Sequence, residues 1–323
     1  MKIMIIFYLV LLQITLYKCE ITFDSLLDEL KKDMKMKKMV VAGGDSPETL
    51  EAARLAKDMK IGDSILIGNE EQIKKRAKES NIDISDFEII NLDDKIDITR
   101  YAVNLINAGK ADILVKGSIQ TVDILKVILD NEIGFKTSDL INLVGILEIE
   151  GKLTLLSDIS IVPYPTLENK VQIINNAVKL AHAIGINNPK VGVIAGIAIP
   201  NSKMPETLEA EKLTEMNIKG EIKDCIVDGP LSLDLAISPE SAHIKYVNRR
   251  VNGDADIIIF PDVHAGNIAY KILTHLIDSK CGSILLGTKY PVILTSRSDS
   301  TQTKINSMIF ASLYDRMNST STK

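Results

Sequence analysis

At 323 residues the chain can hold one large or two medium domains, and 46% hydrophobic with 25% charged residues is ordinary globular composition. A net charge of -5, 4% aromatics and no Trp exclude the basic, stacking surface that a nucleic-acid binder needs. Cys19, Cys225 and Cys281 are widely spaced, and His182, His243, His264 and His275 form no HxxxH pair, so neither a disulfide framework nor a metal signature follows.

Taken in order, the chain begins with Met1-Lys2 and an apolar run from Ile3 to Tyr17. This has the charge-then-hydrophobe form of a secretory signal and is short for a membrane span. The remainder reads as an ordinary intracellular enzyme, so residues 1–20 are set apart as a signal-like extension or the product of a mistaken start. The location expected is cytoplasmic, with export left open by the signal-like segment, and no stable membrane association is expected. The basic cluster Lys31 to Lys38 is interrupted by Asp33, Met34 and Met36 and reads as a solvated helix end.

From Lys38 onward, short β-branched runs alternate with amphipathic stretches. Lys38 to Ala42 predicts a strand. Ser46-Pro47 predicts an N-cap with proline at the first helical position, opening a helix that buries Leu50, Ala53, Leu55 and Met59 or close neighbours. Ser64 to Ile67 and Glu70 to Ser80 repeat the pairing. Phe87 to Ile90 with Thr99 to Asn107, and Ile113 to Val115 with Val122 to Leu129, repeat it again. Units of about 25 to 30 residues suit a parallel sheet with crossover helices.

Leu140 to Leu156 reads as two strands around Glu150-Gly151-Lys152, and a helix from Asn169 to Ile184 carries Val171, Ile174, Val178 and Ala181 at helical spacing. Further units begin at Val191, Ile222 and Ile257. The expected fold is α/β, with two α/β domains flanking a cleft: residues 21–139 plus 284–323 form the first and 140–283 the second.

Polar motifs close several predicted strands, where open α/β sheets bind ligands. They are Lys116-Gly117-Ser118 with Thr121 as a helix cap, Ser157-Asp158, Asp228-Gly229-Pro230, Asp262 with Gly266-Asn267 and Lys271, and Thr295-Ser296-Arg297-Ser298-Asp299. Each alone is an ordinary turn; their shared position points to a cleft. The last stands out, because an arginine and several hydroxyls fall between the run Pro291 to Leu294 and a helical segment from about Thr301 to Leu313. A helix N-terminus with a guanidinium favours phosphate. Gly43-Gly44-Asp45-Ser46 lacks both the P-loop Lys-Ser/Thr and the GxGxxG spacing and reads as a turn.

With these segments in register from Ile21 to Leu313, the chain resembles the phosphate acetyl/butyryltransferase family, and its butyryltransferase branch most. The segments that carry the resemblance are Val115-Lys116-Gly117, Leu156-Ser157-Asp158, Ile226 to Pro230, Ala255-Asp256-Ile257, Ala265-Gly266-Asn267 with Lys271, and Pro291 to Arg297. It implies an isocitrate/isopropylmalate-dehydrogenase-like fold, a homodimer or larger homo-oligomer, and reversible transfer of a short acyl group, butyryl preferred, between CoA and phosphate. No cofactor stays bound; acyl-CoA and inorganic phosphate are the partners, with CoA a substrate or product. Arg297 would hold phosphate, Ser296 would donate to the tetrahedral oxyanion, and a carboxylate (Asp299, Asp228 or Asp262) would take the thiol proton. The catalytic set is then Ser296, Arg297 and Asp299. The substrate-binding set is Lys116, Gly117, Ser118, Thr121, Ser157, Asp158, Asp228, Gly229, Pro230, Asp262, Gly266, Asn267, Lys271 and Thr295.

Two positions depart from the family pattern. The acetyl branch has an aspartate six residues beyond the arginine, where this chain has Thr303. The butyryl branch often has a glutamate in the region of Ala198, before the equivalent of Pro200-Asn201. Two rival readings are a binding protein for acyl-CoA or phosphate without turnover, and a metal- and nicotinamide-dependent decarboxylating dehydrogenase using Asp254, Asp256 and Asp262.

Overall fold

Apolar runs without alternation form strands covered on both faces, and the polar-faced segments between them form the covering helices. A computed structural model describes residues 21–32, 36–137, 140–149, 151–245, 249–277 and 279–321. The extension 1–20, Cys19 and Glu150 lie outside the described residues, as do Asp33 and Met34 of the basic cluster.

Helix α1 (Phe23–Lys32) precedes the alternating series β1 (Lys37–Ala42), α2 (Pro47–Asp58), β2 (Gly62–Gly68), α3 (Glu70–Glu79) and β3 (Glu88–Asn91). The series continues through α4 (Lys95–Asn107), β4 (Ile113–Lys116) and α5 (Thr121–Ile128). Strands β5 (Asn142–Ile149) and β6 (Lys152–Ser157) follow, then α6 (Leu167–Ala183), β7 (Lys190–Ile194), α7 (Pro205–Ile218) and β8 (Ile226–Leu231). Two short helices, α8 (Leu233–Ile237) and α9 (Pro239–Ile244), lead to β9 (Ile257–Ile259) and α10 (Val263–Leu276). Strands β10 (Lys280–Leu286) and β11 (Val292–Ile293) and helix α11 (Thr301–Ser321) complete the described fold.

All these strands join one sheet in the order β3-β2-β1-β4-β11-β10-β5-β6-β9-β7-β8. The two ends are parallel, as crossover helices require. The middle is antiparallel: β10 pairs β11 on one side and β5 on the other, and β5 and β6 form the expected hairpin. Strand β10 was not foreseen, because Lys280-Cys281-Gly282-Ser283 is polar and small at its start. It pairs with β5 along all seven residues, and the expected boundary at 283/284 falls inside it. The chain is therefore α/β on a sheet that runs unbroken through its middle.

Several local expectations shift. Helix α2 buries Thr49, Leu50, Ala52, Ala53 and Ala56, while Leu55 faces outward. Small side chains make the inner face because α11 packs closely against α2. Ser46 sits at the N-cap of α2 but donates to Glu48 at 2.8 Å instead of capping a backbone N–H. Thr121 is the first helical residue of α5, not its cap, since Gln120 holds the extended N-cap backbone. Helix α4 begins a turn earlier than expected because the Asp94 carboxylate accepts from the N–H groups of Ile96 and Asp97. The strand expected near Ile222 begins at Ile226.

Helix α11 is buried on every side from Thr303 to Tyr314, enclosing the polar Asn306, Ser307 and Ser312 along with Ile305, Met308, Ile309, Phe310, Ala311 and Leu313. It lies against β10 and α2 with one end at the tip of β11. Among the described residues, no helix is long and apolar enough to cross a membrane.

Candidate active site

Strands β1, β4 and β11 are neighbours and parallel, so their carboxyl ends open at one edge of the sheet. Three loops meet there. Gly117 makes the meeting possible: a Cβ at this position would lie 1.9 Å from the carbonyl oxygen of Gly43. The Gly43-Gly44-Asp45 turn is thereby pressed against Lys116-Gly117-Ser118, and the Ser118 hydroxyl donates to the Asp45 carboxylate. A segment that reads as a plain turn thus stands one residue from the site.

The third loop is Ser296 to Asp299. It is a tight turn in which the Asp299 N–H donates to the Ser296 carbonyl at 3.2 Å, and the Ser296 N–H donates to the Asp299 carboxylate at 2.7 Å. Ser300 then caps α11, its hydroxyl accepting from the Thr303 N–H at 3.1 Å. Arg297 is exposed and reaches across to donate from Nη2 to the Ser118 carbonyl at 3.0 Å, tying β11's loop to β4's. The Ser296 hydroxyl lies 3.0 Å from that of Ser298. Just before the turn, the Thr295 hydroxyl is buried without a hydrogen-bond partner among the described residues, an open valence at the tip of β11.

Charge is concentrated here. Lys116 is 4% exposed. Burial, with Arg297 and Lys304 adding like charge, lowers its pKa from the ordinary 10.5 to about 8. Lys304 is buried and its pKa is also held down by burial. From the other half of the sheet, α10 brings Lys271 to 3.9 Å from Asp299. Tyr270, next to it, is buried, and burial raises its phenol well above the usual value. Cys281 at the start of β10 lies 3.3 Å from the Thr303 hydroxyl, and burial raises its pKa, so its thiol stays protonated. Thr303 also lies 3.0 Å from the Ser300 hydroxyl.

The other expected site residues form two further groups. Ser157 ends β6, Asp158 follows it, and both are packed under α10. Gly266 allows this approach, since a Cβ there would lie 2.1 Å from the Asp158 carbonyl oxygen. Asn267 donates to the Ile159 carbonyl at 2.9 Å, and Asp262 caps α10 by accepting from the Ala265 N–H at 2.9 Å. The Asp158 carboxylate accepts from the N–H groups of Leu143, Ser160 and Ile161, and burial raises its pKa. Ser157 belongs to a buried chain with Asn142 and Asn176.

Asp228, Gly229 and Pro230 are buried in β8, at the far edge. That is six strand spacings from β11, roughly 29 Å at about 4.8 Å each. Both oxygens of Asp228 are engaged: one accepts from the N–H groups of Arg250 and Val251 at 2.8 and 3.0 Å, and the other lies 3.1 Å from Arg249.

The structure therefore brings together Lys116, Gly117, Ser118, Thr295, Ser296, Arg297, Asp299 and Lys271. Thr121 follows at the start of α5. It sets Ser157, Asp158, Asp262, Gly266 and Asn267 beneath and beside α10, and leaves Asp228, Gly229 and Pro230 apart. Asp45, Tyr270, Cys281 and Lys304 join the site without having been expected.

The family-wide model for phosphate acetyl/butaryl transferase matches residues 22–103 and 93–312. The chain belongs to the phosphate acetyl/butaryl transferase family. It is 45% identical over 284 residues to the phosphate butyryltransferase of Clostridium acetobutylicum, covering 87% of this chain and 94% of that one. Identity to the phosphate acetyltransferase of Thermotoga maritima is 38% over 282 residues, or 87% of this chain and 96% of the other. In three dimensions it is similar to a branched-chain phosphotransacylase from Enterococcus faecalis. That match has a TM-score of 0.77 and 33% identity, and it covers 87% of this chain and 99% of the other.

The carboxylates that a metal-dependent dehydrogenase would need are placed differently. Asp254 and Asp256 precede β9 and pair with Lys190 and Lys152. Asp262 is engaged as a helix cap.

Proposed function

We propose that the protein catalyses reversible transfer of a short acyl group between CoA and inorganic phosphate, with butyryl preferred over acetyl. The observation that carries this reading is the Ser296–Asp299 turn, set among Lys116, Arg297 and Lys304 and bound to Ser118 at the carboxyl ends of β4 and β11. A turn surrounded by cations, with a guanidinium free to fork, suits a phosphate dianion.

Phosphate held by Arg297 attacks the thioester carbonyl carbon, and the carbonyl π electrons move onto oxygen. The Ser296 hydroxyl donates to that oxyanion, a preorganised contact worth about 3 kcal/mol of barrier. Collapse re-forms the carbonyl and breaks the carbon–sulfur bond, and the proton lost by the attacking phosphate passes to the departing sulfur, releasing CoA and acyl phosphate. In the reverse direction the CoA thiol, with an ordinary pKa of about 8.5, must lose its proton. Of the carboxylates weighed for this role, Asp299 is the one beside Ser296 and Lys271; Asp262 caps α10 and Asp228 is engaged at β8. Attack within a ternary complex needs no acyl-enzyme, consistent with a protonated, buried Cys281. The Thr295 hydroxyl offers an unused hydrogen bond to a substrate oxygen. Ser157, Asp158, Asp262, Gly266 and Asn267 shape the wall along which α10 presents Lys271.

The same reading treats the two parallel ends of the sheet as two α/β domains with a cleft between them. It makes the protein a cytoplasmic homodimer. Support for the dimer comes from Ile268, Ile272 and Leu276, exposed at i, i+4 and i+8 on α10. The deciding experiment follows CoA release from butyryl-CoA by the full chain, with and without phosphate, and with acetyl-CoA alongside. Phosphate-dependent release that favours butyryl-CoA is expected. Binding of acyl-CoA with no release would replace the enzyme by a binding protein.

A further inference from the structure

Lys304 stands where physical chemistry opposes a lysine on three counts. At 2% exposure its ammonium has lost most of its hydration. It is the fourth residue of α11, in the turn where a helix carries its positive end. Lys116 and Arg297 crowd the same site: Lys116 feels both Arg297 and Lys304 as repulsion. Asp299 and Glu48 act on Lys304 in the favourable direction.

The contacts it makes in return are specific. Nζ donates to the Asp299 carbonyl oxygen at 2.5 Å and reaches the Ser296 carbonyl oxygen at 3.5 Å. Those two carbonyls bracket Arg297 and Ser298. A carbonyl oxygen aimed at an anion site repels the anion, whereas N–H groups and a guanidinium attract it. Which of these the turn presents depends on which way its peptides face.

We propose that Lys304 is a positioning residue for acyl transfer: its buried ammonium holds the Ser296 and Asp299 carbonyls inward, so that the turn offers phosphate the Arg297 guanidinium and the Ser296 hydroxyl. The inference rests on the phosphate acyltransferase reading and gives it a device. A local choice that breaks several rules at once is a mark of a functional constraint. Holding the carbonyls inward is the constraint that this geometry satisfies.

The test uses the full chain and CoA release from butyryl-CoA, with phosphate and butyryl-CoA varied separately. Wild-type release that needs phosphate secures the underlying reading; without it, that reading fails on its own account. Lys304→Met keeps the length of the side chain and removes the charge. In a folded K304M protein, the KM for phosphate should rise about tenfold or more and kcat should fall, with the KM for butyryl-CoA nearly unchanged. In Lys304→Ala, n-propylammonium should restore phosphate use and n-propanol, its neutral counterpart, should not. An unchanged phosphate KM in K304M, or equal rescue by the alcohol, overturns the proposal. Loss of folding in K304M overturns it as well, because Lys304 would then be required by the core.

Discussion

Two strand ends in this molecule carry an aspartate and an arginine, and they use them in opposite ways. At β8, Asp228 is enclosed: Arg249 and the backbone N–H groups of Arg250 and Val251 take up its oxygens, and Arg250 bonds Asn217 and the Val227 carbonyl. At β11, among the described residues, Arg297 is exposed and makes one side-chain hydrogen bond, Thr295 has an unused hydroxyl, and Lys116 and Lys304 are buried cations held close together. The first arrangement engages both carboxylate oxygens inside the fold, although the buried Arg249 Nε has no partner among the described residues. The second keeps an exposed guanidinium and buried cations in reserve for a ligand. Similar residue types are told apart by whether their opposite charges meet each other or are left for a ligand.

The comparison can be tested in descending order of expected effect. Arg297→Ala removes two charge-assisted hydrogen bonds to phosphate at about 2 kcal/mol each, so kcat/KM for phosphate should fall about a thousandfold. Fold and thermal midpoint should hold, because Arg297 is exposed. Near-normal phosphate kinetics would remove Arg297 from the reaction. Ser296→Ala should lower kcat about a hundredfold with little change in either KM, since the proposed contact strengthens only in the transition state. A rise in the KM for CoA with kcat intact would give Ser296 a ground-state role instead.

Asp228→Asn should do the reverse. Denaturant titration should show about 2 kcal/mol of lost stability, while the phosphate KM of the folded protein stays as it was. If phosphate use collapses without loss of stability, the two strand ends belong to one site after all.

The smallest effect is a dependence on pH. Lys116 is a cation below its lowered pKa of about 8 and neutral above it. Phosphate affinity should therefore weaken several-fold as pH rises through about 8, and Lys116→Met should abolish that step. Stability moves the other way. The unfolded chain keeps this lysine protonated up to about 10.4, so between about 8 and 10.4 it binds more protons than the folded protein, and stability rises with pH. Lys116→Met should therefore be more stable than wild type at pH 7, and the gain should vanish near pH 10.

Much of the candidate site was legible in advance because its residues punctuate strand ends. Arg297 with its hydroxyls at a strand-to-helix junction, and Lys116-Gly117-Ser118 after a buried strand, are local patterns. Lys304 and Asp45 were not legible as site residues, since a lysine in a helix and an aspartate in a glycine turn are commonplace. Their role depends on which loops the sheet order makes adjacent. Tyr270 and Cys281 enter for the same reason: α10 and β10 reach the Arg297 loop only because β10 is inserted antiparallel beside β11.

By itself the amino-acid sequence determined the α/β class, most of the helices and strands, the family and the arginine turn. These follow from hydrophobic periodicity, caps and short motifs, all of which act over a few residues. Tertiary structure decided that the sheet runs unbroken through an antiparallel middle, that the strand of Asp228 stands six places from the strand before Arg297, and that Lys304 is buried beneath the turn. Those outcomes depend on strand order and on how α11 packs, interactions between residues far apart in the chain that local patterns do not encode.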